Sequence, residues 1–353
     1  MTAPFEISVI CPVLVGRTSQ LDLLDRSIAE VMSGHGQIVL IAGEAGIGKS
    51  RLTAEAGARF RAHLATSDQL AARILTGRCF EPDRVLPYAP LLDVLRADLA
   101  GRSPMDIATL FGADSAALAR LLPEIAELLP SSAPQPPTAA EQDQRQLTLA
   151  LARCFTRLGA RPDDAGRLAR LLIIEDLHWS DEASLQVLLA LARHVPAQPM
   201  LVLLTYRSDE VRPELAAFLA ALDRERLGTE IHVPRLSIGD VDAQIRTIFD
   251  LQRAISTEFL GAIYSVTEGN PFFIEETLKS LIAVGDIAPT NDAWDTTSLS
   301  ELRLPRSVQL AVQRRLDQVS SEAREVLTLA AVAGRRFDLS VTIIRGAAFG
   351  SGR

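Results

Sequence analysis

The chain has 353 residues, room for two or three domains with a large core, and its 48% hydrophobic and 23% charged content is that of an ordinary globular protein. A net charge of -8 argues against a chain whose main business is coating nucleic acid or anionic lipid. Three separated cysteines (Cys11, Cys79, Cys154) lack CxxC spacing, which points to a reducing compartment, and the five histidines lack any HxH or HxxxH pattern that would hold a metal.

The N-terminus lacks the basic start and apolar run of a signal peptide. No apolar run approaches the ~20 residues that a membrane helix needs. A cytoplasmic protein is expected, with no membrane partner.

Short apolar runs alternate with longer amphipathic stretches, which predicts an α/β fold with a parallel sheet. In chain order, strands are expected at "QIVLIAG" (37–43), "ARILTGR" (72–78), "RLLIIED" (170–176), "PMLVLLTYR" (199–207) and "EIHVPRL" (230–236). Most of these are nearly uninterrupted apolar runs, which suit strands buried on both faces. Helices are expected at 50–65 and 181–195, and residues 88–130 read as a helical insert between the second and third strands. The proline-rich stretch 131–144 reads as an exposed loop. Beyond residue 238 strand signals fade: helical patterns run to about 300, broken by a loop at "APTNDAWDTTS", and resume to the end. The expected division is a core over 1–238, a helical segment over 239–300 and a truncated last domain over 301–353, where Val341, Ile343 and Ile344 lack some of their partners.

The first strand runs into Gly43-Glu44-Ala45-Gly46-Ile47-Gly48-Lys49-Ser50, which matches GxxxxGK[ST]. Glycines let the backbone wrap a polyphosphate so that successive N–H groups point at it, and the following helix aims its positive end at the same anion. Lys49 and Lys279 are the two lysines among 36 basic residues. Lys49 has to reach phosphate oxygens as a compact point charge, for which a planar guanidinium is too bulky. Ser50 offers a hydroxyl to Mg²⁺, and Arg51 follows in the same segment. The alternative is a glycine-rich turn between strand and helix.

"LLIIEDLHWSDE" (171–182) puts Glu175 and Asp176 at the carboxyl end of a buried strand. A phosphate loop needs acids there, one for the Mg²⁺ shell and another to orient or activate water. Alternation along a strand assigns the two to different faces and so to different roles, and spacing does not say which is which. The alternative is that they end the strand at the surface. Asp181 and Glu182 suit the first turn of the next helix, while His178 and Trp179 read as packing residues.

"LVGRTSQLDLL", "GEAGIGKSRL", "GRC…PYAPLLDVLR", "LLIIEDLHWSDEASL", "LLTYRSDE" and "TEGNPFFIEE", in this order, resemble the ATPase module of large LuxR-type, MalT-like transcriptional regulators. These belong to the STAND branch of AAA-related P-loop NTPases. The resemblance implies a five-stranded parallel α/β core, a helical lid and the start of a winged-helix domain. It also implies that Val15, Gly16 and Arg17 lie at the adenine end of the nucleotide, with Thr18 where relatives carry an acid. Glu175 falls at the Mg²⁺-associated position and Asp176 at the water-orienting one. Arg207 resembles the arginine that senses the γ-phosphate, an alternative to an ordinary strand-end arginine. Pro271 resembles the lid proline that packs on adenine, while Asn270 and Pro271 also read as N-cap and first helical residue.

The implied ligands are ATP, ADP and Mg²⁺. The implied activity is a slowly hydrolysing switch whose nucleotide state controls conformation and self-assembly, with an inducer or regulatory protein as further partner. DNA binding is not expected from this chain alone. Alternatives are a stand-alone AAA-type ATPase acting on a protein partner, or an inactive remnant.

Overall fold

The computed structural model describes residues 9–65, 71–100, 102–123, 140–158, 168–252, 255–284, 287–289 and 294–296, with a few positions between 320 and 328. The chain divides into two compact units. One comprises Pro12–Gln244 with Asn270–Phe272, and the other Met1–Cys11, Ile245–Gly269 and Phe273–Arg353.

The first unit is built on five strands: β1 (Gln37–Gly43), β2 (Ala71–Arg78), β3 (Leu168–Glu175), β4 (Met200–Arg207) and β5 (Thr229–His232). Their order is β2-β3-β4-β1-β5, and every neighbouring pair is parallel. The expected five-stranded parallel α/β sheet is therefore what forms. Alternate residues feed two separate cores. Val39, Ile41, Leu171, Ile173, Leu201 and Leu203 pack with helices α1 (Thr18–Met32) and α2 (Lys49–Ala65). Ile38, Leu40, Leu172, Ile174, Val202 and Leu204 pack on the other face with the helices that follow β2, β3 and β4.

Among the described residues, the insert after β2 contains helices Ala89–Leu99, Pro104–Phe111 and Ser115–Leu121. The expected loop over 131–144 is corrected at its end, because a helix runs from Ala140 to Arg157. Its opening "AEQDQRQ" is polar, yet Ala, Glu and Gln are good helix formers and an exposed face tolerates them. The strand expected over 230–236 stops at His232, since Pro234 has no N–H to continue the ladder.

The second unit contains the helix Thr257–Thr267, with Ser256 capping it by accepting from the Phe259 N–H at 3.2 Å. It also holds most of the helix Pro271–Val284 and a short antiparallel pair, Ile287–Pro289 with Trp294–Thr296, where a loop was expected. Apart from those few positions between 320 and 328, the winged-helix reading of 301–353 lies outside the described residues, as do the apolar residues Val341, Ile343 and Ile344.

Candidate functional site

In a parallel sheet all strands end on one edge, so the loops after β1, β3 and β4 meet there. The loop after β1 passes through Gly46 (φ 74°) and Gly48 (φ 101°), left-handed positions that favour glycine. Gly46 is needed for space as well: a Cβ there would lie 2.8 Å from the Phe272 Cβ. The loop is braced from behind by residues 270–272 of the same unit. The Asn270 amide donates to the Ala45 carbonyl at 2.9 Å, and the Phe272 N–H lies 3.3 Å from the Gly46 carbonyl. Asn270 Oδ1 also accepts from the Phe272 N–H at 3.2 Å, so Asn270 caps the helix that Pro271 begins.

Arg17 is buried, and its guanidinium donates to the carbonyls of Pro234 (2.7 Å) and Ile47 (3.1 Å). Its side chain thus ties β1's loop to the segment after β5, and burial lowers its pKa, partly offset by Asp240. Gly16 (φ 66°) has the Asp240 carboxylate where a Cβ would stand, and Val15 is half-buried beside it. Within the loop, Ile47 is a core anchor, while the Glu44 carboxylate turns away to Arg235 at 2.9 Å. Arg51 donates to the Val13 carbonyl at 3.1 Å.

Lys49 is 7% exposed, and its ammonium donates to the carbonyls of Gly43 (3.0 Å) and Glu44 (2.9 Å). Burial and then the charge of Arg207 lower its pKa to about 8, against the opposing pull of Asp176, Asp209 and Glu210. Ser50 is exposed at the start of α2.

Glu175, the last residue of β3, shares strand parity with Leu171 and Ile173 and so lies on the α2 side. There Thr53 of α2 donates its hydroxyl to Glu175 Oε1 at 2.9 Å. Asp176 does not continue the strand: its φ of 62° breaks the alternation, so strand parity does not separate the two acids' roles. Its N–H donates to the Thr205 hydroxyl at 3.0 Å, and its carboxylate pairs with Arg78 at 2.9 Å. Asp181 caps the next helix by accepting from the Ser184 N–H at 2.8 Å, as its position suggested.

Arg207 ends β4 directly opposite Gly43 in register and donates to Glu210 Oε1 at 2.6 Å. His178, 1% exposed, has no hydrogen-bond partner on either ring nitrogen, and its Nε2 lies 3.7 Å from Glu210 Oε2. Burial and then Arg207 push its pKa down to about 4, so the imidazole is neutral at physiological pH. Reading His178 as a packing residue catches its burial and its ring contact with Trp179, and misses these unpartnered nitrogens. Thr53, Arg78, Thr205 and Glu210 were not singled out from sequence, and of these Glu210 had a usable signal: an acid three residues after a strand-terminal arginine.

One edge of the sheet therefore gathers a wrapped glycine loop, a buried ammonium, a serine hydroxyl, two carboxylates and an arginine. The left-handed glycines and ammonium suit a polyphosphate, and the hard oxygens of Ser50, Glu175 and Asp176 suit Mg²⁺. Fold and loop together define a P-loop nucleoside triphosphatase. Residues 13–203, more than half of the chain, match the model of the AAA ATPase domain, and the chain belongs to that family.

Over 92% of its length the chain is 28% identical to an uncharacterized protein of Rhizobium meliloti (strain 1021), and it spans 30% of that relative's length. The Aeropyrum pernix ORC2 protein, in its ADPNP–ADP complexes, has a similar fold: TM-score 0.53 at 15% identity, covering 95% of this chain and 80% of that one. A Pyrococcus horikoshii STAND protein with a tetratricopeptide-repeat sensor is similar at TM-score 0.39 and 14% identity, over 94% of this chain and 36% of that one. The first likeness is one of fold, and the second is too distant to bear on function.

Proposed function

We infer that the chain is an ATP-binding, slowly hydrolysing switch, the ATPase module of a LuxR-type regulator. The observation that carries the inference is the convergence of Lys49, Glu175, Asp176 and Arg207 on one sheet edge beside the glycine loop. In this reading the amides of residues 44–50 and the Lys49 ammonium bind the phosphates, replacing the Gly43 and Glu44 carbonyls as Lys49's partners. Ser50 and Glu175 hold Mg²⁺, which when bound neutralises phosphate charge, and Thr53 keeps Glu175 turned toward α2. Asp176 orients a water and accepts its proton, once its carboxylate is available beside Arg78. Arg207 contacts the terminal phosphate, a contact that ADP cannot make. That difference in affinity is what a switch requires.

The resemblance to regulators rests on the order of motifs from "LVGRTSQ" to "TEGNPFF". Self-association in the ATP state and an inducing protein as partner belong to the same reading, as do Val15, Gly16, Arg17 and Pro271 at the adenine end. The test is calorimetric titration with ATP and ADP in Mg²⁺, followed by light scattering of each complex and single-turnover hydrolysis. The switch reading expects hydrolysis slower than about one turnover per minute, well below ordinary enzyme rates, and different assembly states with the two nucleotides. Rapid steady-state turnover with identical assembly states overturns it.

A further inference from the structure

We propose that Glu210 sets the preference between ATP and ADP: its carboxylate competes with a terminal phosphate for Arg207, and His178 receives the carboxylate when Arg207 leaves. The inference rests on the nucleotide reading above and deepens it.

Arg207 and Glu210 are joined through the turn that leaves β4. The Glu210 N–H donates to the Arg207 carbonyl at 3.2 Å, and the guanidinium donates to Oε1 at 2.6 Å. The pair is only partly exposed, at 31% and 18% of the side chains, so solvent does not fully screen it. A guanidinium so paired offers a phosphate much less net charge than a free one. Arg207 stands opposite Gly43 in register, which sets the pair beside the phosphate loop.

The other Glu210 oxygen faces a residue with a need of its own. His178 Nε2 stands 3.7 Å from Oε2, too far for a hydrogen bond, and both ring nitrogens are buried without one. An imidazole in that condition costs free energy that a second arrangement can recover. The backbone of His178 is held by the segment just beyond Glu210, because Arg212 Nε donates to the His178 carbonyl at 2.9 Å. A small swing of the Glu210 side chain exchanges Arg207 for the His178 N–H. The exchange gives Arg207 to a triphosphate and leaves no carboxylate orphaned. A diphosphate has no terminal group to claim Arg207 and leaves the original pair intact.

The test is calorimetric binding of a non-hydrolysable ATP analogue and of ADP, each with Mg²⁺, to the parent chain, Glu210→Gln, His178→Phe, the double variant and Lys49→Ala. Glu210→Gln weakens the competition, so analogue affinity rises about tenfold, the size of one charge-assisted hydrogen bond, while ADP affinity stays within about twofold. His178→Phe removes the receiving donor and lowers analogue affinity about threefold, and it has no effect in the Glu210→Gln background, a non-additivity that a merely structural histidine does not produce. Unchanged or reduced analogue preference in Glu210→Gln, with Lys49→Ala still weakening both ligands severely, overturns the competition and leaves the nucleotide reading standing. Failure of the parent to bind either nucleotide overturns both.

Discussion

Two regions of the first unit bury charge, and they treat it in opposite ways. In the helical layer, Asp98 is fully buried, with Arg73 at 2.8 Å on one oxygen and Arg102 at 2.7 Å on the other. Both carboxylate oxygens are used, and the guanidinium forks match them. At the sheet edge, Lys49 rests on two carbonyls with its pKa lowered to about 8, and His178 has two nitrogens without partners. The first arrangement is complete and holds β2 to its following helix. In the second the ammonium has neutral carbonyls, not a carboxylate, as its hydrogen-bond partners, which is the condition of a site that awaits an anion.

That contrast can be broken by mutation. Lys49→Ala is expected to weaken ATP binding about a thousandfold, the scale of losing a buried charge contact, with circular dichroism unchanged. Asp98→Ala is expected to cost about 3 kcal/mol of unfolding free energy in urea, because it removes the buried carboxylate on which Arg73 and Arg102 converge, and to leave ATP affinity within about twofold. If Asp98→Ala abolished binding and Lys49→Ala only destabilised, the contrast would be inverted. Asp176→Asn is expected to slow single-turnover hydrolysis about a hundredfold with ADP affinity intact.

The smallest effect concerns stability and pH. The folded pKa of Lys49, about 8, lies below its ordinary 10.5, so the fold disfavours the ammonium. Below pH 8 both states are protonated and the full penalty applies. Between 8 and 10.5 the folded protein binds fewer protons than the unfolded chain, so the penalty shrinks as pH rises. Lys49→Met is therefore expected to be more stable than the parent by about 2 kcal/mol at pH 7, an advantage that narrows at pH 9.5 in urea titrations. A constant difference across that range contradicts the assignment.

The sheet was legible in the sequence because its central strands β1, β3 and β4 are nearly unbroken apolar runs, and β1 spans 37–43 as expected. Local signals carried the glycine loop and the Asp181 cap for the same reason: their residues are neighbours in the chain. What stayed hidden depends on contacts across it. Thr53 meets Glu175 over 122 positions and Arg78 meets Asp176 over 98, and no local pattern announces either. The end of β3 was misplaced by one residue because Asp176 adopts a left-handed backbone, which aspartate tolerates and an apolar strand pattern does not reveal. His178 looked like packing because burial is legible from neighbouring apolar residues, whereas a missing hydrogen bond is not.

The central claim is that the amides of residues 44–50 and the Lys49 ammonium hold a triphosphate tail. The direct measurement is a crystal structure of the chain grown with Mg²⁺ and a non-hydrolysable ATP analogue. The account predicts phosphate density enclosed by that loop, with Lys49 turned from the Gly43 and Glu44 carbonyls to the phosphate oxygens. A loop empty at saturating analogue, with Lys49 still on those carbonyls, contradicts it.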